Sequence, residues 1–173
     1  MREMRRKDRL VTDFEKIKEV IKSCEILRLG LFDEESPMFP YVVPLNFGYE
    51  FVKEECCNFP EQIYLYIHGA LEGRKAELIR KNKKCSFQMD CEHKMEFLYE
   101  HHDITERYKC IFGEAEIEEI ADDEKEAYMT KLLARDEKMA SFPWNRAALS
   151  RTMICKIKVL DLSCKINSGK KPD

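Results

Sequence analysis

The sequence predicts a mainly β protein with flanking helices, organised as a six-stranded antiparallel barrel. Three observations predict it. Six segments carry the period-two alternation and the β-branched and aromatic content of strands. Among the first five, only one helical crossover intervenes, between the third and the fourth, where a doubly wound sheet would need one after nearly every strand. The other helical patterns stand before the first strand and between the fifth and the sixth, placed to cover the barrel's sides and open ends.

The elements follow in order. Thr12-Asp-Phe-Glu15 reads as a capping box, with Thr12 as the cap and Glu15 reaching back. Phe14, Ile17, Val20 and Ile21 then mark one face of a helix ending near Ser23. Glu25 to Phe32 is the first strand, closed by the turn-like Asp33-Glu-Glu-Ser-Pro37. Tyr41 to Tyr49 is the second. Pro44 cannot donate to a ladder, so this strand has an edge, a bulge or a backbone opening. Lys53 to Pro60 is a loop before the third strand, Gln62 to His68. Gly73 to Asn82 is helical, and Cys85 to Cys91 alternates as the fourth strand. The polar stretch Glu92 to Glu106, with His93, His101 and His102, is a long loop or an extended hairpin connection. Arg107 to Glu118 is the fifth strand. Asp122-Asp-Glu124 starts a helix with acids at the favourable end of its dipole. Phe142-Pro-Trp144 is an aromatic kink, Asn145 to Arg151 a short helix, and Met153 to Leu162 the last strand.

The chain has 173 residues, 44% hydrophobic and 36% charged. That suits one domain with a full core and a solvated surface. The expected organisation is a basic N-terminal arm over residues 1–12, one domain over 13–164 and a flexible tail over 165–173. The net charge of −3 gives no overall basic field for nucleic acid. Met1 to Arg9 is locally basic but has no apolar run behind it, so it is not a signal peptide. No apolar run reaches the length of a membrane span, and the cytoplasm is the default compartment. Of the eight cysteines, Cys24, Cys85, Cys110 and Cys155 sit in apolar segments as small hydrophobes. No CxxC pair occurs, so reduced thiols are expected rather than a disulfide framework or a zinc ribbon.

Tyr64-Leu-Tyr-Ile-His-Gly-Ala-Leu-Glu-Gly-Arg-Lys75 is the most informative stretch. A strand ends at His68, Gly69 and Gly73 bracket a turn, and a helix begins with Arg74 and Lys75. Helix N-termini carry unpaired N–H groups and the positive end of a dipole. Two cations placed there oppose that dipole, which makes an anion partner the better reading than a solvated turn. Neither a Walker loop nor a dinucleotide fingerprint is present. Cys91, His93, His101 and His102 offer zinc-type ligands, but their spacing fits no standard metal pattern, and no metal is expected.

Four runs together resemble the FMN-binding split β-barrel proteins related to pyridoxamine 5′-phosphate oxidase, the nitroimidazole-resistance type in particular. They are Met4-Arg-Arg-Lys-Asp-Arg9, Tyr41-Val-Val-Pro-Leu-Asn-Phe-Gly-Tyr49, the Tyr64 to Lys75 stretch and Arg107-Tyr-Lys-Cys-Ile-Phe-Gly-Glu-Ala115. The second and third are the specific ones. The resemblance implies a six-stranded antiparallel split barrel forming a homodimer, with FMN at the interface. It implies that Arg74 and Lys75 neutralise the phosphate at the Gly69 to Gly73 turn. Val42, Val43, Pro44, Leu45 and Asn46 would run along the flavin ring. Tyr66 and His68 would stand nearby, His68 as the catalytic candidate. Trp144 either anchors the core or reaches the flavin from the partner chain.

The function implied is an FMN-dependent oxidoreductase that moves electrons from NAD(P)H to a small acceptor such as a nitro-aromatic, with no nucleic-acid or membrane partner. A pyridoxamine 5′-phosphate oxidase-like enzyme, a flavin carrier or sensor, and a relative that has lost its cofactor are the rival readings. The insert from Glu92 to Glu106 does not match the family word for word.

Overall fold

The computed structural model describes residues 5–54, 58–135 and 143–169. Phe142, named above, lies outside the described residues, as do Cys56 and Cys57. One antiparallel sheet organises the chain: β1 (Leu10–Val11), β2 (Ile26–Leu31), β3 (Tyr41–Asn46), β4 (Gly48–Val52), β5 (Gln62–Ala70), β6 (Lys84–Leu98), β7 (Asp103–Glu119) and β8 (Thr152–Asn167). The hydrogen-bonded order is β3-β2-β6-β7-β8-β5-β4, with β1 on β8. The helices are α1 (Phe14–Ser23), α2 (Arg74–Lys81), α3 (Lys125–Leu133) and the single turn α4 (Arg146–Leu149).

The mainly antiparallel class stands. The six expected strands are β2, the run β3–β4, β5, β6, β7 and β8; the structure divides the second at Phe47 and adds the short β1. That division brings the two ends of the sheet side by side. β3 and β4 are the two ends of the sheet path, yet they are consecutive in the chain, so one buried residue, Phe47, joins the ends. β4 pairs with β5, Gly48 opposite Tyr66 through Val52 opposite Gln62. Continued one step further, the same ladder would set Asn46 against His68 and Pro44 against Ala70. Instead β3 leaves β5 at Phe47 and pairs with β2, Pro44 opposite Arg28. β3 and β5 run close together without sharing a ladder. The barrel is split there.

Alternation sorts the side chains. Leu27, Leu29 and Leu31 of β2, Ile63, Leu65 and Ile67 of β5, and Ile111, Ala115 and Ile117 of β7 are buried in the barrel with Ile17, Val20 and Ile21 of α1. A second, smaller cluster lies outside the sheet, where Met129 and Leu132 of α3 and Leu149 of α4 cover Tyr64, Tyr66 and Ile154. Burying these two apolar sets is the main favourable term in holding the strands and helices together.

Three sequence expectations are corrected, and one left open between two readings is resolved. The cap of α1 is Asp13, whose side chain accepts from the Glu15 and Lys16 amides, and not Thr12. The N-terminal arm is not merely solvated: Leu10 and Val11 pair with Lys165 and Cys164, and Arg9 donates to the Tyr108 hydroxyl at 3.0 Å. Consequently the expected tail begins too early, since Lys165, Ile166 and Asn167 continue β8 against β7. The Glu92 to Glu106 segment takes the hairpin form of its two readings. Lys94 to Leu98 pairs with Asp103 to Arg107 after a bulge between Cys91 and Lys94. Glu92 (φ 56°) and His102 (φ 49°) supply the left-handed backbone for the bulge and the turn. The six described cysteines are free thiols.

Candidate functional site

The split between β3 and β5, with the start of α2 at its end, is where most of the sequence-predicted residues lie. β3 is an edge strand, so its side toward β5 carries no ladder. Pro44 fits that position because it has no N–H to lose. Val42, Pro44 and Asn46 point outward and are exposed, while Val43 and Leu45 are half-buried against the core.

β5 ends in His68, Gly69 and Ala70, and the chain then turns into α2. Gly73 is the N-cap residue with φ 96°, a conformation that suits glycine, and no side chain caps this helix. The first N–H groups of α2 are therefore without a side-chain acceptor. The Lys75 ammonium reaches back to donate to the His68 carbonyl at 3.3 Å. Lys75 is half-buried, and among the described residues no carboxylate forms an ion pair with it. Partial burial pushes its pKa below the ordinary lysine value. His68 is exposed on one side, and its pKa is also lowered, first by desolvation where the ring packs and then by the Lys75 charge. The imidazole is neutral at pH 7.

Arg74 is placed differently. Its Nε and Nη2 both donate to Asp33 Oδ2, at 3.0 and 2.7 Å, and its guanidinium lies 4.8 Å from the centre of the Tyr41 ring. Its charge is already opposed by a buried acid, which leaves Lys75 as the unopposed cation of the pair.

Two predicted residues are not brought to the split. Tyr66 is fully buried beneath α3, and its hydroxyl donates to Glu50 Oε2 at 2.5 Å. Period two puts Tyr64, Tyr66 and His68 on one face of β5, and α3 covers the first two. Trp144 packs against that same second cluster. His93 meets two carboxylates, Asp90 at 2.8 Å and Glu106 at 3.1 Å, while His101 and His102 lie at the hairpin turn.

The sequence reading missed an outward groove of about 370 Å³ across β3, β2, β6 and β7. Arg28, Gly30, Val42, Ser86, Gln88, Phe112 and Glu114 line it. The strand alternation that puts Arg28, Ser86 and Gln88 outward was readable. Their convergence required the strand order, because β2 and β6 are far apart in sequence.

A split antiparallel barrel with a helix-start cation at its opening defines the class of protein. Residues 13–166 match the family model described as pyridoxamine 5′-phosphate oxidase, and the chain belongs to that family. No functionally curated protein matches the sequence. Among solved structures, a candidate 5-nitroimidazole antibiotic resistance protein from Bacteroides thetaiotaomicron superposes with a TM-score of 0.73 at 24% identity, over 91% of this chain and 86% of that one. A FAD- and heme-binding protein from Mycobacterium smegmatis does so with a TM-score of 0.73 at 17% identity, over 95% and 76%. A FAD-binding protein from Mesorhizobium loti gives 0.62 at 21%, over 92% and 98%. At these identities the likeness is one of fold. No described helix is long and apolar enough to cross a membrane.

Proposed function

We propose that this protein binds FMN in the split between β3 and β5 and acts as an FMN-dependent oxidoreductase, taking electrons from NAD(P)H and passing them to a small acceptor such as a nitro-aromatic. One observation carries the reading. Lys75 is a partly desolvated cation without a carboxylate partner among the described residues, set at a helix start whose N–H groups have no side-chain cap. Such an arrangement costs stability until an anion offsets it, and a phosphate fits both the charge and the donors. A single cradle of this kind, without a pyrophosphate fingerprint, favours the mononucleotide.

When bound, the flavin supplies the hydride and electron chemistry. The chain's part is to hold the phosphate with Lys75, Arg74 and the α2 amides, and to offer the free edge of β3 to the ring's polar atoms. The exposed Val42, Pro44 and Asn46 and the adjoining groove, with Arg28 and Gln88, limit water on one side. His68, neutral at pH 7, can accept a hydrogen bond or a proton from a bound reactant. A second copy of the chain completing the site as a homodimer is part of this reading; the exposed apolar residues Val42 and Phe112 beside the groove support it.

The test begins with protein purified without added flavin. We expect a flavin absorption band, release of FMN on heating as identified by mass, and bleaching on addition of NADH or NADPH. Sedimentation is expected to give a mass near twice 20.6 kDa. Release of FAD or haem would overturn the FMN reading, and a band that resists reduced nicotinamide would favour a carrier.

A further inference from the structure

Asp33 is a buried acid on the exit turn of β2, its side chain 9% exposed against 50% for its partner Arg74. Its Oδ1 accepts from the Glu35 amide at 3.0 Å, which fixes the carboxylate within its own turn. Its Oδ2 accepts both Arg74 bonds, from Nε and Nη2. The Tyr41 ring, at the first residue of β3, lies against the same guanidinium. Three segments distant in sequence thus meet on one side chain: the turn after β2, the start of β3 and the start of α2. Because both bonds fall on one carboxylate oxygen, they use one edge of the fork. Nη1 makes no hydrogen bond among the described residues. A guanidinium is rigid and planar, so fixing one edge fixes the direction of the other.

We infer that Asp33 is a positioning residue for anion binding, holding Arg74 so that the free end of its fork stands ready beside the α2 N-terminus. The inference rests on the flavin reading above and assigns a role to a residue outside it. Asp33 does not add attraction, since its own charge opposes the ligand's. It contributes direction: without it, Arg74 is a flexible surface cation that must be ordered at the moment of binding.

The test compares FMN with riboflavin, which lacks the phosphate, using the full chain and flavin-fluorescence quenching. Asp33→Asn and Asp33→Ala are expected to weaken FMN about 10-fold while leaving riboflavin unchanged. Asp33→Ala combined with Arg74→Ala is expected to bind FMN no more weakly than Arg74→Ala alone, because the acid acts only through the arginine. Equal losses for FMN and riboflavin would make Asp33 a loop-folding residue and overturn the inference, as would additive losses in the double variant. Tighter FMN binding by Asp33→Asn would show that the acid competes for Arg74, and would overturn it too. If wild-type protein prefers FMN to riboflavin but the Asp33 variants match it, only this inference fails. If wild-type protein shows no preference, the phosphate reading fails with it.

Discussion

The Lys75 ammonium stands where a side chain on Gly69 would begin: a Cβ at Gly69 would lie 2.2 Å from Lys75 Nζ. The same nitrogen donates to the His68 carbonyl. The absence of a side chain at the end of β5 is what lets a residue of α2 fold back over the strand and set a cation at the split.

The obstacle at Gly69 is the far end of a flexible chain, so Gly69→Ala is expected to cost less than about 1 kcal/mol of stability while displacing Lys75. FMN affinity falls although the melting temperature hardly moves. Removing both charges, Arg74→Ala with Lys75→Ala, is expected to weaken FMN by about 2–4 kcal/mol with the fold intact. Fluorescence titration beside thermal unfolding checks both. Wild-type affinity in the double variant would put the phosphate elsewhere.

His68 is expected to matter for turnover more than for binding. His68→Gln retains size and some hydrogen bonding but cannot titrate near neutrality. FMN affinity should stay within about 1 kcal/mol while reduction of a nitro-aromatic acceptor slows roughly 10-fold. Because desolvation and the Lys75 charge hold the imidazole pKa below its ordinary value, the change of rate with pH that His68 causes is expected on the acid side of neutrality, and the variant lacks it. Stopped-flow reoxidation between pH 5 and 8 reads this directly. An unchanged rate per bound flavin would make His68 a bystander.

His93 clamps the bulge at the base of the β6–β7 hairpin, between Asp90 on its own strand and Glu106 on the next. Arg28 holds the other oxygen of Asp90 at 2.6 Å. Hydrogen bonds to the two acids raise the imidazole pKa above 6.5. A raised folded-state value means that the clamp contributes fully below pH 6.5 and fades as pH rises through the folded pKa. The melting-temperature gap between wild type and His93→Gln is therefore expected to be widest below pH 6.5 and to narrow as pH rises through the raised folded-state value. A gap independent of pH would show that the ring acts by packing on Tyr108, 6.3 Å away, rather than by charge.

Gly48, the first residue of β4, tests what holds the second cluster. A Cβ there would lie 2.4 Å from Leu132 Cα and 2.6 Å from the Lys131 and Leu132 carbonyl oxygens. Backbone cannot step aside as a lysine tip can, so Gly48→Ala must push α3 off the sheet. A loss of about 2–4 kcal/mol in urea unfolding is expected. A near-neutral result would mean that α3 is only loosely seated.

Much of this protein was legible in the sequence because local rules dominate strands and helix ends. Alternation placed Ile63, Leu65 and Ile67 inward and His68 outward, and the basic helix start after Gly73 marked α2 within a residue. Pro44 announced an edge, a bulge or a backbone opening, and β3 is an edge. The cap of α1 was misread because Thr12 and Asp13 are both competent caps, and only the entry angle of the chain selects between them. The hairpin from Glu92 to Glu106 remained ambiguous because its left-handed residues are Glu92 and His102, not the glycine or asparagine that usually signals such a turn.

By itself the sequence determined most of the elements, the faces turned into the barrel and the cationic helix start, since each depends on residues a few positions apart. Tertiary structure alone decided where β3 parts from β5, that α3 covers Tyr66, and that Asp33 and Tyr41 hold Arg74. Those outcomes depend on contacts between segments tens of residues apart, and on which of several equally apolar strand faces a helix comes to cover. Periodicity along the chain carries no record of that choice.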